Sequence, residues 1–295
     1  MQGIEDKIKF RRWPEALIVL QSVVYGFGDP ISKIAFEVTP VYTMMTVRYS
    51  IAFAAAFLLF RKRIIETLKT VPVKTWLMPG VFMSLSYVLN NIALALTEAT
   101  SVAFLRSLSV IFTPLIAFLV LKHRYAVRIV AIQVMVIPGM YLLCVRGGLS
   151  GFGAGEMLSI GAAVMMACAL VSSKKHLETV DPAAMTSLMA GCSAVMALAG
   201  SFIVEGGIHL ETTTGRAWLI IIYLAIACTL LGYLMQNLAL TKISDRSVAL
   251  IQSLCPVMTA LFAFLLLGER LSAAGMAGAL IIIICVTAAT ALSTD

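Results

Sequence analysis

Apolar residues recur along the whole chain in runs of about 20, separated by short polar stretches. As a helix with a rise of 1.5 Å per residue, such a run crosses the roughly 30 Å hydrocarbon core of a bilayer. We therefore predict an all-α integral membrane protein. Its ten transmembrane helices are expected at about 14–35, 41–60, 76–96, 101–121, 126–145, 154–173, 183–204, 217–240, 247–267 and 272–292.

The composition supports a single membrane domain over 1–295. Of the 295 residues, 60% are hydrophobic and only 13% are charged, and the mean hydropathy is +0.97. These values lie far outside the range of soluble globular domains. The longest connections, 61–75 and 205–216, are too short for a separate soluble domain. The first apolar run is too long for a cleavable signal peptide, so we retain it as the first transmembrane helix.

The net charge of +7 indicates an orientation rather than a nucleic-acid partner. When the loops are assigned alternately to the two sides of the membrane, sixteen lysines and arginines fall on one side. The other side holds only Arg146, Arg216 and Arg270. Cytoplasmic loops carry the excess of basic residues in membrane proteins. We expect both termini in the cytoplasm and a plasma-membrane location, namely the inner membrane of a bacterium.

An internal repeat relates the two halves of the chain. Residues 91–124 align without a gap on residues 237–270, and fifteen of the 34 pairs are identical. The segment KIAFEVTP, 33–40, similarly matches KHLETVDP, 175–182. Because each repeat holds five helices, an odd number, the second enters the membrane in the opposite orientation, which is typical of transporters. The predicted repeats are 14–145 and 154–292.

Three motifs resemble the ten-helix, EamA-like branch of the drug/metabolite transporter superfamily. They are the glycine-interrupted YGFGDPISK at 25–33, VRYSIAF at 47–53 and PVMTALFAFLLLGERL at 256–271. The resemblance covers the whole chain and implies two inverted five-helix halves around a central cavity, with helices five and ten at the periphery. It also implies that the protein carries small metabolites across the membrane. The first half departs from the pattern, because His123 stands where the second half has Glu269.

Polar residues interrupt the first predicted helix at YGFGDPISK. Pro30 has no amide hydrogen, and its ring collides with the carbonyl of Gly26 in a regular helix. Asp29 precedes the proline and is biased away from helical angles. We therefore predict a break at this point, with Asp29 as the N-cap of a second half-helix. In transporters, broken helices at membrane depth line a cavity and contact the cargo.

Ionisable residues inside a membrane are candidates for a functional site. Four polar residues on four helices share one depth, roughly 8–10 Å from the outer helix ends at 1.5 Å per residue, namely Asp29, Arg48, Asn91 and Arg106. The repeat predicts a matching layer near the other surface, at Gln236, Asn237 and Gln252. The candidate substrate-binding residues are Tyr25, Asp29, Lys33, Arg48, Tyr87, Asn91, Arg106, Tyr233 and Gln252.

Structural roles are the alternative for these residues. Asp29 is then a helix cap paired with Lys33, and Arg48 forms a structural ion pair or a gate contact. Asn91 would hold helices together, as polar residues do between transmembrane helices. The tyrosines would pack at the membrane interface or, at cavity depth, surround an organic cation.

The charges favour an anionic group on the cargo. Three cations, Lys33, Arg48 and Arg106, face only Asp29 and leave two uncompensated positive charges, which are costly when buried. We predict secondary transport of an amino acid or related carboxylate by alternating access, with Arg106 as the carboxylate partner and Asp29 meeting an amino group or a proton. Export is implied by the family resemblance. An organic cation such as choline is the alternative cargo, and a non-transporting membrane scaffold or receptor is the alternative class.

Enzymatic, metal and cofactor functions have no support in the sequence. It has no phosphate loop, its six cysteines lie in apolar runs without CxxC spacing, and its three histidines are scattered. We expect no catalytic residue, cofactor or metal site. The expected partners are the lipid bilayer and a small-molecule substrate, with protons as a candidate coupling ion. The chain is expected to be a monomer or a homodimer, because SAAGMAGA at 272–279 spaces small residues for close helix approach.

Overall fold

The computed structural model describes residues 13–121, 134–139, 141–142, 153–268 and 272–292, and every regular element in these ranges is helical. Residues 134–139 form part of the predicted fifth transmembrane helix. A π-helical segment, Leu224–Leu231, joins the helix Gly215–Tyr223 to the helix Gly232–Leu240. The α-helices are α1 (Trp13–Phe36), α2 (Val41–Thr70), α3 (Val73–Leu96), α4 (Ala99–Ser107), α5 (Ser109–Leu121), α6 (Ala154–His176), α7 (Pro182–Val204), α8 (Gly215–Tyr223), α9 (Gly232–Leu240), α10 (Asp245–Gln252), α11 (Cys255–Leu267) and α12 (Ala273–Leu292).

Seven single or joined helices in the described parts of the chain are long and apolar enough to cross a membrane. They are α2, α3, α6, α7 and the joined pairs α4 with α5, α8 with α9, and α10 with α11. α1 has 24 residues, but its polar side chains keep it out of this group. α12 is a further apolar helix, and most of 126–145 lies outside the described residues. The all-α membrane architecture is confirmed, whereas the count of ten and the inversion of the repeats stay predictions.

The predicted break in α1 is wrong, because the helix continues through Pro30. A proline is tolerated in a transmembrane helix where the surrounding structure compensates for the lost backbone hydrogen bond. α1 packs so closely on α11 that a Cβ added to Gly26 would overlap Met258. Asp29 is therefore an interior helix residue rather than an N-cap. Tertiary packing has overridden the local preference for a break.

The helix breaks occur instead in the fourth and ninth predicted helices. α4 gives way to α5 at Leu108, and α10 gives way to α11 at Ser253 and Leu254. Leu108 and Leu254 are aligned in the internal repeat, so both repeats break at the same place. Pro256 follows the second break and removes a backbone donor there. The π-helical segment adds a third irregularity, in the helix formed by α8 and α9.

The two predicted repeats meet along the helix pairs α2 with α7 and α3 with α6. The ring of Tyr42 occupies the space beside Gly200, where a Cβ would overlap it. Ser86 donates a hydrogen bond from α3 to Ala162 O of α6 at 2.8 Å. Small residues and interhelical hydrogen bonds are the usual means of helix association in lipid. We name the end where α1 ends and α2 begins the outer end, since the charge distribution predicts that it faces away from the cytoplasm.

The small-residue face of α12 packs within the chain. A Cβ on Gly139, in the predicted fifth helix, would lie 3.0 Å from Gly278 O and 2.9 Å from Ile281. Gly275, which also belongs to α12, is buried. This contact with the fifth helix needs no second copy of the chain, and the oligomeric state stays a prediction.

Gly26→Ala should destabilise the folded protein, because the added methyl group overlaps Met258 and lies 2.8 Å from its carbonyl carbon. Overpacking of this kind costs about 1–3 kcal/mol. Thermal unfolding of the purified protein in detergent should show a lower midpoint temperature. Gly215→Ala is the matched control, since nothing lies within 4 Å of an added Cβ there. Equal midpoints for the two variants would contradict the tight contact between α1 and α11.

Thr70 and Thr214 should lie on opposite sides of the membrane. Both are exposed; Thr70 ends α2, and Thr214 is the N-cap of α8 at the outer end. With a cysteine introduced at each position in turn, an impermeant maleimide added to intact cells should label Thr214→Cys. It should label Thr70→Cys only after the cells are opened, and the unsubstituted protein controls for native cysteines. Labelling of both variants in intact cells would refute this topology.

Candidate functional site

Polar side chains surround a small buried space between α1, α2, α3, α4 and the π-helical segment, which we name the central cavity. The space left within it is about 10 Å³, enough for about one water molecule. The four residues predicted to share one depth, each on a different helix, all lie on its wall. The lining residues are Tyr25, Gly28, Asp29, Ser32, Arg48, Tyr87, Asn90, Asn91, Arg106, Leu224 and Cys228.

An ion pair between Asp29 and Arg106 lies on the wall of the central cavity. Arg106 Nη2 donates to Asp29 Oδ2 at 2.9 Å and lies 3.3 Å from Cys255 Sγ. The side chain of Asp29 is only 10% exposed, and that of Arg106 only 7%. Arg106 occupies the last turn of α4, where the negative end of the helix dipole favours a cation. The alternative interpretation, in which Asp29 pairs with Lys33, is wrong, because Lys33 Nζ donates instead to Thr97 O at 2.9 Å.

Arg48 places a second buried positive charge on the cavity wall. Its Nε donates to Thr229 Oγ1 at 2.9 Å, and its guanidinium carbon lies 5.1 Å and 5.9 Å from the ring centres of Tyr49 and Tyr87. Thr229 belongs to the π-helical segment and also donates to Leu224 O, five residues earlier, at 3.0 Å. Among the described residues, no carboxylate oxygen lies within 4.0 Å of Arg48. The cavity wall therefore carries two arginines and one aspartate, a surplus of one positive charge.

Uncharged polar groups complete the wall. Asn91 Nδ2 donates to Tyr87 O at 2.7 Å. Asn90 Oδ1 and Asn91 Oδ1 are buried and accept no hydrogen bond from the described residues. Buried acceptors of this kind cost free energy when they lack a donor. Tyr25 stands edge-on to Tyr87, with 6.2 Å between the ring centres.

A glutamine cluster adjoins Tyr25. Gln252 Nε2 donates to Gln21 Oε1 at 2.9 Å and to Gln236 Oε1 at 2.8 Å. Gln21 Nε2 in turn donates to Tyr25 OH at 3.2 Å. Gln252 lines a second small cavity, and both Tyr25 and Arg106 line the two cavities. These two side chains therefore stand between the central cavity and the glutamine cluster.

Sequence reasoning missed Gln21. The available signal is the four-residue spacing of Gln21, Tyr25 and Asp29, which places all three on one face of α1. Three candidates lie off the central cavity. Gln252 lines the second small cavity, the buried ring of Tyr233 packs 5.6 Å from that of Tyr87, and the amine of Lys33 donates to the loop after α3. The role of the nine candidates in cargo binding stays a prediction.

The comparison with known families decides the family. The model of the EamA-like transporter family matches the chain twice, at residues 12–145 and 153–290. The chain belongs to this family. An "Uncharacterized transporter" of Archaeoglobus fulgidus is 26% identical over 285 residues, 97% of this chain and 88% of that one. A "Probable amino-acid metabolite efflux pump" of Salmonella typhimurium is 26% identical over 280 residues, 90% of this chain and 91% of that one.

A solved structure supports the fold. A crystal structure with 17% sequence identity superposes with a TM-score of 0.75, covering 94% of this chain and 96% of that one. At this identity the likeness concerns the fold alone. The family membership and the apolar helices make the protein a multi-pass membrane protein of a transporter family, which implies a small-molecule substrate and a lipid environment.

Asp29→Asn and Arg106→Gln should each destabilise the protein, because each leaves one buried charge without its partner. Breaking a buried pair in this way costs about 3–5 kcal/mol. The double variant removes both charges and should lose less stability than the sum of the single variants. Unfolding by increasing fractions of SDS in mixed micelles measures the free energy of unfolding of the two single variants and the double variant. Strictly additive losses would show that the two side chains do not interact.

Proposed function

We propose that this protein is a secondary transporter that exports an amino acid or a related small carboxylate by alternating access. The observation that carries the proposal is the surplus positive charge on the wall of the central cavity, which Arg48 contributes. A buried charge without a counter-charge is unfavourable. A carboxylate on the cargo supplies the missing negative charge.

Arg48 is the preferred partner for that carboxylate. The sequence favoured Arg106, but the guanidinium of Arg106 already donates to Asp29. Of the three guanidinium nitrogens of Arg48, only Nε donates a hydrogen bond to a described residue. Its two terminal nitrogens remain to donate, and a planar guanidinium matches the geometry of a carboxylate. Arg106 then contributes to the positive potential while its own charge stays compensated.

Oxygen acceptors on the same wall suit the amino group of an amino acid. Asn90 Oδ1 and Asn91 Oδ1 lack donors, and the carboxylate of Asp29 lines the same cavity. An ammonium group has three donors and no acceptor. The Salmonella typhimurium relative is named a probable amino-acid metabolite efflux pump, which supports the same cargo class.

An organic cation suits the cavity less well. The rings of Tyr49 and Tyr87 that would surround a quaternary ammonium already contact the guanidinium of Arg48. A second cation would compete with Arg48 for these rings. It would also increase the positive charge of a cavity that already carries a surplus.

Cargo entry requires the helices to move, because about 10 Å³ accommodates a water molecule but not an amino acid. The breaks at Leu108 and at Ser253 and Leu254 interrupt two helices near Arg106 and Gln252. Short irregular segments of this kind absorb backbone rotation when packed elements shift. In alternating access, the two inverted repeats would open the cavity to one side at a time. Gradients of cargo or protons would drive the cycle, since the sequence has no nucleotide-binding motif.

Arg48→Gln should weaken amino-acid binding at least about tenfold, because a hydrogen bond to a charged group contributes about 1.5–3 kcal/mol. Calorimetric titration of the purified protein in lipid nanodiscs, with neutral amino acids and with choline, measures the affinities. Arg61→Gln is the matched control, because Arg61 is an exposed arginine on the same helix. Unchanged affinity in Arg48→Gln would contradict the role of Arg48. Binding of choline without binding of amino acids would contradict the cargo class.

A further inference from the structure

A second polar cluster lies at the outer end. Residues 206–213, which we name the outer strap, connect α7 to α8 across this end. Thr212 Oγ1 donates to Val38 O at 2.5 Å, and the hydroxyl oxygens of Thr213 and Thr39 lie 3.1 Å apart. The outer strap therefore ties the segment that follows α1 to the start of α8.

Glu205 anchors the outer strap to α2. Its carboxylate accepts from the amides of Tyr42 at 2.7 Å and Thr43 at 2.8 Å, and from the Thr43 hydroxyl at 2.9 Å. α2 has no side-chain cap of its own. Glu205 thus satisfies amides that a helix start leaves open, and its negative charge meets the positive end of the helix dipole. His209 N adds a bond to Thr43 Oγ1 at 3.2 Å, so this end of the strap is fixed.

The strap is held by charge-assisted bonds on the α2 side and only by neutral bonds on the α1 side. Gly206 and Gly207, with φ angles of 77° and 147° that glycine adopts without strain, lie between the anchoring residues Glu205 and His209, and Gly207 N donates to Ser201 O at 3.0 Å. The bonds from Thr212 and Thr213 to the segment after α1 are neutral hydrogen bonds. Neutral bonds are weaker than the charge-assisted bonds of the anchor. The contact with the α1 side is therefore expected to release first.

The two elements that the strap ties together both line the central cavity. Gly28 and Asp29 come from α1, and Leu224 and Cys228 come from the π-helical segment that continues α8. A Cβ on Gly28 would lie only 2.7 Å from Cys228 Sγ, so α1 and the segment are in close contact. Separation of α1 and α8 at the outer end would part these walls and open the cavity on that side.

We propose that the outer strap is the gate through which cargo leaves the central cavity. It closes the cavity by tying α1 to α8, and it releases α1 when the bonds of Thr212 and Thr213 to the segment after α1 break, while Glu205 and His209 stay on α2. The identity of the cargo rests on the proposed function, whereas the opening of the gate does not depend on it.

A disulfide tests the gate. The hydroxyl oxygens of Thr39 and Thr213 lie 3.1 Å apart, so cysteines at both positions approach bonding distance. After oxidation with copper phenanthroline, the pair should transport amino acids in liposomes at least about tenfold more slowly, because the cross-link holds one of two alternating states. Dithiothreitol should restore transport, and each single cysteine variant is a matched control. Full transport by the cross-linked protein would overturn the proposal.

A readout that needs no cargo separates the gate from the proposed function. Cys228 is buried on the cavity wall, so an impermeant maleimide should reach it from the outer side only when the gate opens. Its labelling, identified by its loss in Cys228→Ser, should be at least about tenfold slower in the cross-linked pair. Equal labelling in both states, or none in the reduced protein, would overturn the gate. Normal labelling without amino-acid transport would support the gate and contradict the cargo.

A single substitution should shift the gate in the opposite direction. Thr213→Val keeps the shape of the side chain and removes the hydroxyl bond to Thr39. Labelling of Cys228 from the outer side should become about two- to tenfold faster, which corresponds to the loss of one neutral hydrogen bond. Thr70→Val, at the other end of α2, is the control. An unchanged or slower rate in Thr213→Val would contradict the strap's role.

Discussion

Two arginines and one aspartate share a space that folding has removed from water, and this imbalance of charge shapes the candidate site. Desolvation makes each buried charge costly, and the contact of Arg106 with Asp29 compensates only one of the two cations. Arg48 donates a hydrogen bond to the hydroxyl oxygen of Thr229 and lies beside two tyrosine rings. These contacts stabilise a cation without neutralising it. The cavity wall therefore keeps one positive charge without a counter-charge among the described residues. This surplus charge, rather than any single contact, is what supports the proposed carboxylate cargo.

The internal repeat duplicates the helix geometry but not the chemistry of the site. The aligned Leu108 and Leu254 both mark helix breaks, yet Arg106 of the first repeat is aligned with Gln252 of the second. The charged layer therefore belongs to the first repeat. The second repeat supplies amides, which form the neutral hydrogen-bond cluster with Gln21. In the proposed mechanism, the two repeats would share one movement, and only the first repeat would select the charge of the cargo.

Depth in the membrane could be predicted from the sequence, because each helical residue adds 1.5 Å. That regularity placed Asp29, Arg48 and Arg106 in one layer. The rotation of each helix and the identity of its neighbours do not follow from residue number, so Arg106 could not be chosen over Lys33 as the partner of Asp29. The break expected at Pro30 failed for a related reason. Local backbone preference predicted it, and the packing of α1 against α11 overrode it.

Compensation of Arg48 by a cargo carboxylate is tested most directly by changing the cargo rather than the protein. Flux of a neutral amino acid and of its methyl ester should be compared in liposomes that hold the purified protein, with protein-free liposomes as the background. The two compounds differ in the negative charge that the cavity lacks. We predict saturable flux of the amino acid and at least about tenfold slower protein-dependent flux of the ester. Equal or faster flux of the ester would contradict the electrostatic basis of cargo recognition.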